Sequence, residues 1–118
     1  MRLSDAIRLG AMMKPQAFGH LHDPLTKGTC ALGAAHDAMG LLRLTSAGYC
    51  KAVPEVWEAA FDTVIVGCPE CRMHHRKVMI LTHLNDDHRW TRERIADWAE
   101  AIENAQEAAK PEQVEVAR

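Results

Sequence analysis

Cys68-Pro-Glu-Cys71 and His83-Leu-Asn-Asp-Asp-His88 are the two stretches of sequence that decide the fold. Together they read C-x2-C-x11-H-x4-H, one residue short of the usual C2H2 interval between the second cysteine and the first histidine. A Cys-Pro-Glu-Cys turn can aim two thiolates at one point. A helix carrying His83, with a short turn to His88, brings two imidazoles to the other side. The four residues therefore predict the closed tetrahedral shell of a structural Zn²⁺, with no open position for a substrate.

Other interpretations of the same residues remain open. His74 or His75 could replace His83 or His88 as a ligand, although so short a loop after Cys71 strains a tetrahedral site. The cysteines could instead be a reduced pair in a turn, with histidines that merely lie nearby. A thioredoxin-like redox pair fits less well, because no βαβ pattern surrounds the C-x-x-C.

The length and composition indicate one small soluble domain. The chain has 118 residues, of which 47% are hydrophobic and 25% charged, so it can bury a modest core that a metal ion would help to stabilise. We expect a mostly α-helical domain over residues 1–110, with a zinc-knuckle or C2H2-like element and a C-terminal helix over 68–110. A short β-hairpin fits the same pattern, and residues 111–118 are expected to be frayed. No apolar run suits a membrane span or an export signal, which predicts a cytoplasmic protein.

In the first half of the chain, capping residues and breakers predict two helices. Ser4 caps a helix over 5–13, and Thr29 caps a small-residue helix over 30–39 that Gly40 ends. Its alanines permit close approach of a neighbouring helix. We expect a loop over 16–28, a turn-rich stretch around 46–49 and a short helix over 54–61 that starts at Pro54.

In the second half, the clearest prediction is the last helix. Val64–Val66 predicts a short strand that leads into the cysteine turn, whereas 77–84 is ambiguous between strand and helix. Thr91 caps the last helix, Trp90 and Ile95 form a hydrophobic staple, and Pro111 ends it. An apolar stripe follows at three- and four-residue steps: Ile95, Trp98, Ile102, Ala105 and Ala109.

Positive charge is concentrated around the predicted metal site. The chain carries a net charge of −2, but residues 68–94 hold six basic and four acidic side chains, a net of +2. Such clusters, together with a helix N-terminus, suit phosphate groups. The predicted nucleic-acid contacts are Arg72, Arg76, Lys77, Arg89, Arg92 and Arg94. The alternative is a zinc-stabilised fold with ordinary surface arginines, and the acidic C-terminal segment is most simply a solvated face.

Catalysis has little support in the sequence. Cys30 opens a helix, where the pKa of a thiol can fall, but its alanine-rich surroundings suit a small buried cysteine better. His20, His22 and Asp23 could form a second metal cluster, although a polar loop explains them more simply. We interpret Met12–Met13, Trp57 and Phe61 as core residues; if they prove exposed, they would mark a partner surface.

Two resemblances bear on function. The order Cys-x-x-Cys, His, His, then an aromatic residue and Thr-x-x-x-Ile, from Cys68 to Trp98, is similar to the Ros/MucR-type bacterial zinc-finger regulators. In that family helices flank the finger and the finger binds DNA. The stretch His83–Trp98 also resembles small uncharacterised bacteriophage and prophage proteins, which often pair it with a Gly-x-Cys-Ala-Leu-Gly-Ala-Ala segment, here Gly28–Ala35. That resemblance brings no established activity, but it suits a host-directed inhibitor or adaptor.

The sequence as a whole predicts a small non-enzymatic regulatory protein with one structural Zn²⁺ that contacts nucleic acid through the basic residues near the metal. The alternative is a phage-type adaptor or inhibitor that acts by protein–protein binding through its apolar and acidic helical surfaces. A thiol enzyme at Cys30 is a third, more distant hypothesis.

Overall fold

The computed structural model describes residues 1–40, 43–45, 48–50 and 65–109. Within these ranges the chain forms four α-helices and four short strands, so the prediction of a mostly α-helical protein is confirmed. The elements in chain order are α1 (Leu3–Ala11), α2 (Ala31–Ala38), β1 (Arg43–Thr45), β2 (Gly48–Cys50), β3 (Ile65–Gly67), β4 (His74–Arg76), α3 (Lys77–Asp86) and α4 (Arg92–Ala108).

The strands form two antiparallel hairpins, β1–β2 and β3–β4. In the second hairpin Ile65 pairs with Arg76, Val66 with His75 and Gly67 with His74. The Cys68–Cys71 turn joins its two strands, so the strand predicted before the cysteines exists, one residue later in the chain. Residues 77–84, which the sequence left ambiguous, are helical and belong to α3. The hairpin thus leads without a linker into α3.

Helices α1 and α2 pack closely because small residues meet where they cross. A Cβ atom added to Gly10 on α1 would lie 1.8 Å from the backbone oxygen of Ala34 on α2, so no larger residue fits there. The prediction that the alanines of the second helix permit close helix approach is therefore confirmed. Because Gly10 and Ala34 have small side chains or none, the two helix backbones come into direct contact at the crossing.

The hydrophobic core lies where α1, α2, α3 and the start of α4 meet. Ile7, Leu81 and Ile95 are fully buried at its centre. Trp90 packs into the same cluster, as the predicted staple with Ile95 requires. Cys68 also belongs to this cluster, so the cysteine turn lies at the edge of the core rather than apart from it.

Two predicted helix caps are wrong. α1 begins at Leu3, and Ser4 lies inside it, where its hydroxyl donates a hydrogen bond to the carboxylate of Glu103 on α4. α2 begins after Cys30, whose Sγ accepts a hydrogen bond from the N–H of Gly33, while Thr29 is buried one residue earlier. In both places a long-range contact uses the hydroxyl that local sequence assigned to the cap.

The last helix was predicted correctly at its start and less well along its length. Thr91 caps α4, since its Oγ1 accepts a hydrogen bond from the N–H of Arg94 at 3.1 Å. The buried face, however, runs through Ile95, Ala96, Ala99 and Glu103, whereas Ala105 and Ala109 are exposed. The last turns therefore project beyond the core, and the predicted stripe holds only for its first half.

Met12 and Met13 do not belong to the core. Their exposed fractions are 83% and 54%, because α1 ends at Ala11 and the chain turns into solvent.

Several predictions lie outside the described residues: the turn at 46–47, the helix over 54–61 with Trp57 and Phe61, and the frayed tail 111–118. Among the described helices, none has both the length and the apolar character needed to cross a membrane.

Candidate metal centre

The structure brings together the four residues that the sequence predicted as metal ligands. Cys68 and Cys71 come from the turn of the β3–β4 hairpin, His83 from the last turn of α3, and His88 from the segment that follows this helix. One ligand atom from each residue lies within 4.8 Å of every other. Among the described residues, this is the group of Cys, His, Asp and Glu side chains that could hold a metal ion.

Two of the distances between the ligand atoms are short enough for both atoms to bind one metal ion. The Sγ of Cys71 lies 3.3 Å from Nε2 of His83, which lies 3.0 Å from Nε2 of His88. With Zn–N and Zn–S bonds of about 2.0 and 2.3 Å, the edges of a tetrahedron are about 3.3–3.7 Å. The two imidazole rings stand at 85° to each other, so their Nε2 atoms converge while their ring faces stay apart. The four side chains could therefore hold one metal ion.

The cysteine turn is arranged to favour a thiolate. The N–H of Met73 donates to Cys71, and this contact, with further hydrogen bonds from His83 and His88, lowers the pKa of the Cys71 thiol to about 6. The N–H of Glu70 donates to Sγ of Cys68 at 3.4 Å. The Met73 N–H stabilises negative charge on the Cys71 sulfur, and the thiolate is the form of a cysteine that binds zinc.

Asp87 holds His83 from the side opposite the ligand cluster. Its Oδ2 lies 2.7 Å from Nδ1 of His83, four residues earlier on the same helical turn. Contact with the Cys71 sulfur raises the pKa of His83, and the carboxylate of Asp87 raises it further. With the proton kept on Nδ1, Nε2 is free to bind a metal, as in carboxylate–histidine–zinc arrangements.

Glu70, which lies between the two cysteines, ties the turn to the start of α4. Its Oε2 accepts a hydrogen bond from Nε1 of Trp90 at 2.7 Å and lies 3.9 Å from Nη1 of Arg94. The guanidinium of Arg94 in turn stacks 3.7 Å above the ring of Trp90. These contacts link the cysteine turn to the start of α4.

His74 and His75 lie outside the ligand cluster. Both are on β4 and exposed: Nδ1 of His74 lies 3.0 Å from the carbonyl oxygen of Arg72, and Nδ1 of His75 accepts from the N–H of Arg76. Both histidines pair with residues of β3, so they lie along the strand and outside the cysteine turn. The geometry therefore favours His83 and His88, the pair preferred from sequence.

Two of the six predicted nucleic-acid contacts are buried. Lys77 is fully buried at the start of α3, where burial lowers the pKa of its ammonium to about 8. Arg92 is 5% exposed and donates hydrogen bonds to the carbonyl oxygens of Ala11, Lys14 and Thr29 and to the Thr29 hydroxyl. The prediction that Lys77 and Arg92 lie on a nucleic-acid surface is therefore wrong, because both are buried inside the fold.

The other four predicted contacts are exposed: Arg72, Arg76, Arg89 and Arg94. Arg89 has a positive φ of 58° and lies with its guanidinium 4.2 Å from the ring centroid of Phe18. Arg94 pairs with Glu70, as described above. Of these four arginines, Arg72, Arg76 and Arg89 have no ion pair among the described residues.

Cys30 is poorly suited to act as a nucleophile. It is 4% exposed, and burial raises the pKa of its thiol, the opposite of the shift that the start of a helix could produce. His20, His22 and Asp23 lie in the loop between α1 and α2 and do not form a metal cluster with other described residues. Of these three residues, His22 is buried at 9% exposure.

Sequence reasoning missed Asp87 and Glu70 as parts of the site. For Asp87 a signal was present, because residues four apart share one side of a helix. Glu70 meets Trp90 across 20 positions, and nothing local predicts that contact.

Comparisons with protein-family models, with curated proteins and with solved structures gave no match. The resemblances to zinc-finger regulators and to phage proteins therefore stay predictions.

Proposed function

We propose that Cys68, Cys71, His83 and His88 bind one structural Zn²⁺, and that the protein is a small non-enzymatic regulator that contacts nucleic acid beside this metal. The observation that carries the proposal is the convergence of the four ligand atoms within 4.8 Å. All four positions of a tetrahedral ion would be filled by side chains, which suits a structural role and leaves no place for substrate.

The order of elements supports a finger-like unit. β3, the cysteine turn, β4 and α3 follow each other in the order of a ββα zinc finger, with the cysteines in the hairpin turn, His83 in the last turn of the helix and His88 just after it. The helices α1, α2 and α4 then pack behind this unit. Such a frame agrees with the regulator resemblance, in which helices flank the finger.

Nucleic acid is the proposed partner because the exposed arginines are grouped by the metal ligands. Arg72 directly follows Cys71, Arg89 directly follows His88, and Arg94 pairs with the glutamate between the cysteines. Zinc would fix three separate segments relative to each other and would thereby set the spacing of these guanidinium groups. Clustered arginines of this kind bind phosphate backbones through charge and bidentate hydrogen bonds.

Metal content tests the first half of the proposal. We expect one zinc per chain in the purified protein, and loss of zinc in Cys68→Ser, Cys71→Ser, His83→Ala and His88→Ala. His74→Ala is the matched control, because this histidine is exposed on β4 outside the cluster. A folded wild-type protein without metal would contradict the proposal, and loss of zinc in the control would contradict the ligand set.

Salt dependence tests the second half. Binding to a labelled duplex and to a single strand is measured by fluorescence anisotropy from 50 to 200 mM salt. Arg72→Ala with Arg76→Ala should reduce the slope of log K against log salt by about two, or about one per lost phosphate contact. Lys27→Gln, an exposed charge in the α1–α2 loop, should leave the slope unchanged. Binding that is absent in the zinc-loaded protein would exclude nucleic acid as the partner.

A protein-binding adaptor is the second candidate. It is favoured by exposed methionines beside the metal cluster, Met73 and Met79, each with 43% of its surface exposed. Large apolar side chains that remain in solvent near a fixed scaffold are typical of partner surfaces.

A further inference from the structure

A groove of about 240 Å³ runs between the β3–β4 hairpin and the solvent side of α3. Met73 and His75 line it from the hairpin, and Met79 and Thr82 line it from the helix. The two walls belong to different elements, so the groove exists only while the hairpin is held against α3.

The helix wall of this groove is the side of α3 that the core does not use. Ile80, Leu81 and Leu84 are fully buried and face the other helices. A helix turns by about 100° per residue, which places Met79 and Thr82 on the opposite side. Methionine side chains are flexible and polarisable, and they adapt to varied apolar partners. The volume suits one large apolar side chain of a partner.

The charge of the groove is one-sided. Asp86 and Asp87 lie at the end where α3 terminates, beside His83, whose Nδ1 lies 2.7 Å from Oδ2 of Asp87. The described residues that line the groove include no lysine or arginine. The C-terminal end of a helix also carries a partial negative charge from its unpaired carbonyl groups. Both effects attract a cation to this end of the groove and disfavour a phosphate.

We propose that this groove binds a basic peptide segment of a partner protein. One large apolar side chain would lie between Met73 and Met79, and a lysine or arginine beside it would contact Asp86 and Asp87. The inference rests on the proposed zinc site, because the metal would hold the hairpin wall in place and because His83, a proposed ligand, lines the groove. It is independent of nucleic-acid binding, which would use the arginines.

The six methionines of the chain allow a test in which the protein supplies its own controls. Zinc-loaded protein labelled with ¹³C at the methionine methyl groups is titrated with a 12-residue peptide of leucine and lysine, and separately with its leucine–glutamate counterpart. We expect the lysine peptide to shift the methyl signals of Met73 and Met79. Met12, the most exposed methionine at 83%, should not move, although adhesion driven by exposure alone would move it first.

Variants separate the groove from general charge attraction. Met79→Glu should weaken binding of the lysine peptide by about tenfold or more, because it places a charge where the apolar side chain docks. Met12→Glu adds the same charge outside the groove and should bind as the wild type does. Zinc content and circular dichroism show whether each variant is folded and loaded.

Three results would overturn the inference: shifts at Met12 rather than at Met73 and Met79, equal binding of the glutamate peptide, or no shift at millimolar peptide. An oligonucleotide that shifts Met79 and displaces the lysine peptide would also overturn it, because nucleic acid would then occupy the groove; a shift of Met73 alone would reflect its position directly after Arg72. If the protein binds zinc and fails these tests, only the proposed peptide site is contradicted. If the purified protein holds no zinc, the proposed metal centre is contradicted.

Discussion

Removal of the Asp87 carboxylate should weaken zinc binding without unfolding the protein. Asp87 holds the Nδ1–H of His83 at 2.7 Å, and this contact directs Nε2 towards Cys71 and His88. In Asp87→Ala the imidazole can rotate and can carry its proton on either nitrogen. Zinc then has to select the one arrangement that was previously fixed.

The structure places the expected loss near the low end of the usual range. Loss of a hydrogen-bond partner behind a metal-bound histidine weakens metal affinity by about 10- to 100-fold. The Asp87 side chain is 66% exposed, so water can replace part of its contact with His83. We therefore expect about a tenfold loss, which corresponds to about 1.4 kcal/mol. Asp87→Asn retains an acceptor and should lose less.

Competition with a chromophoric chelator at pH 7 measures the affinity, and Glu93→Ala controls for the loss of an exposed carboxylate elsewhere. Cobalt substitution adds a spectroscopic test: Asp87→Ala should keep the intense visible bands of a tetrahedral site while its affinity falls. An Asp87→Ala protein that holds zinc as tightly as the wild type would refute the assigned role. Loss of the tetrahedral bands would show instead that Asp87 is needed for the geometry itself.

Three further substitutions test how the scaffold is stabilised, each by urea unfolding of the zinc-loaded protein. Arg92→Ala should destabilise the protein by about 1–3 kcal/mol, because it leaves the carbonyl groups of Ala11 and Lys14 without their donor. Arg72→Ala, an exposed control, should change the free energy of unfolding by less than about 0.5 kcal/mol. Gly10→Ala should destabilise the protein by about 2 kcal/mol or more, because the added Cβ would lie 1.8 Å from the backbone oxygen of Ala34. Alanine ordinarily stabilises a helix by about 1 kcal/mol relative to glycine, and a gain of that size would contradict the close crossing. The pKa of Lys77 is lowered to about 8 from an unfolded value near 10.5, so the unfolded chain binds more protons between these values and stability should rise with pH there. We expect a rise of about 1–2 kcal/mol between pH 8 and 10 that is absent in Lys77→Met; parallel profiles for the two proteins would show that Lys77 does not cause it.

The cluster of candidate metal ligands could be predicted from sequence because its geometry is local. A C-x2-C turn fixes two sulfurs, and a helix followed by a turn fixes two imidazoles, all within 21 consecutive residues. The Thr91 cap is local for the same reason, since a hydroxyl and an N–H three residues later decide it. Patterns of this kind require no knowledge of the rest of the fold.

The features that sequence did not predict depend on partners far along the chain. Ser4 has the chemistry of a cap, but Glu103 draws its hydroxyl into the interface between α1 and α4. Arg92 and Arg94 are two residues apart in a basic stretch, yet one is buried against the α1–α2 loop and the other stacks on Trp90. Side-chain type gives the charge, and only the fold decides whether that charge is a structural contact or a surface.

The metal centre, the arginines and the methionine groove all depend on one relationship, the position of the hairpin relative to α3. The buried side of α3 is fixed by the helical core, and Glu70 anchors the cysteine turn to Trp90 at the start of α4. His83 carries the link from the helix to Cys71, and zinc would convert this contact into bonds on both sides. Loss of zinc should therefore disturb nucleic-acid binding and peptide binding together while the core of α1, α2 and α4 persists. Substitutions at Met79 or at the exposed arginines should instead affect one activity at a time.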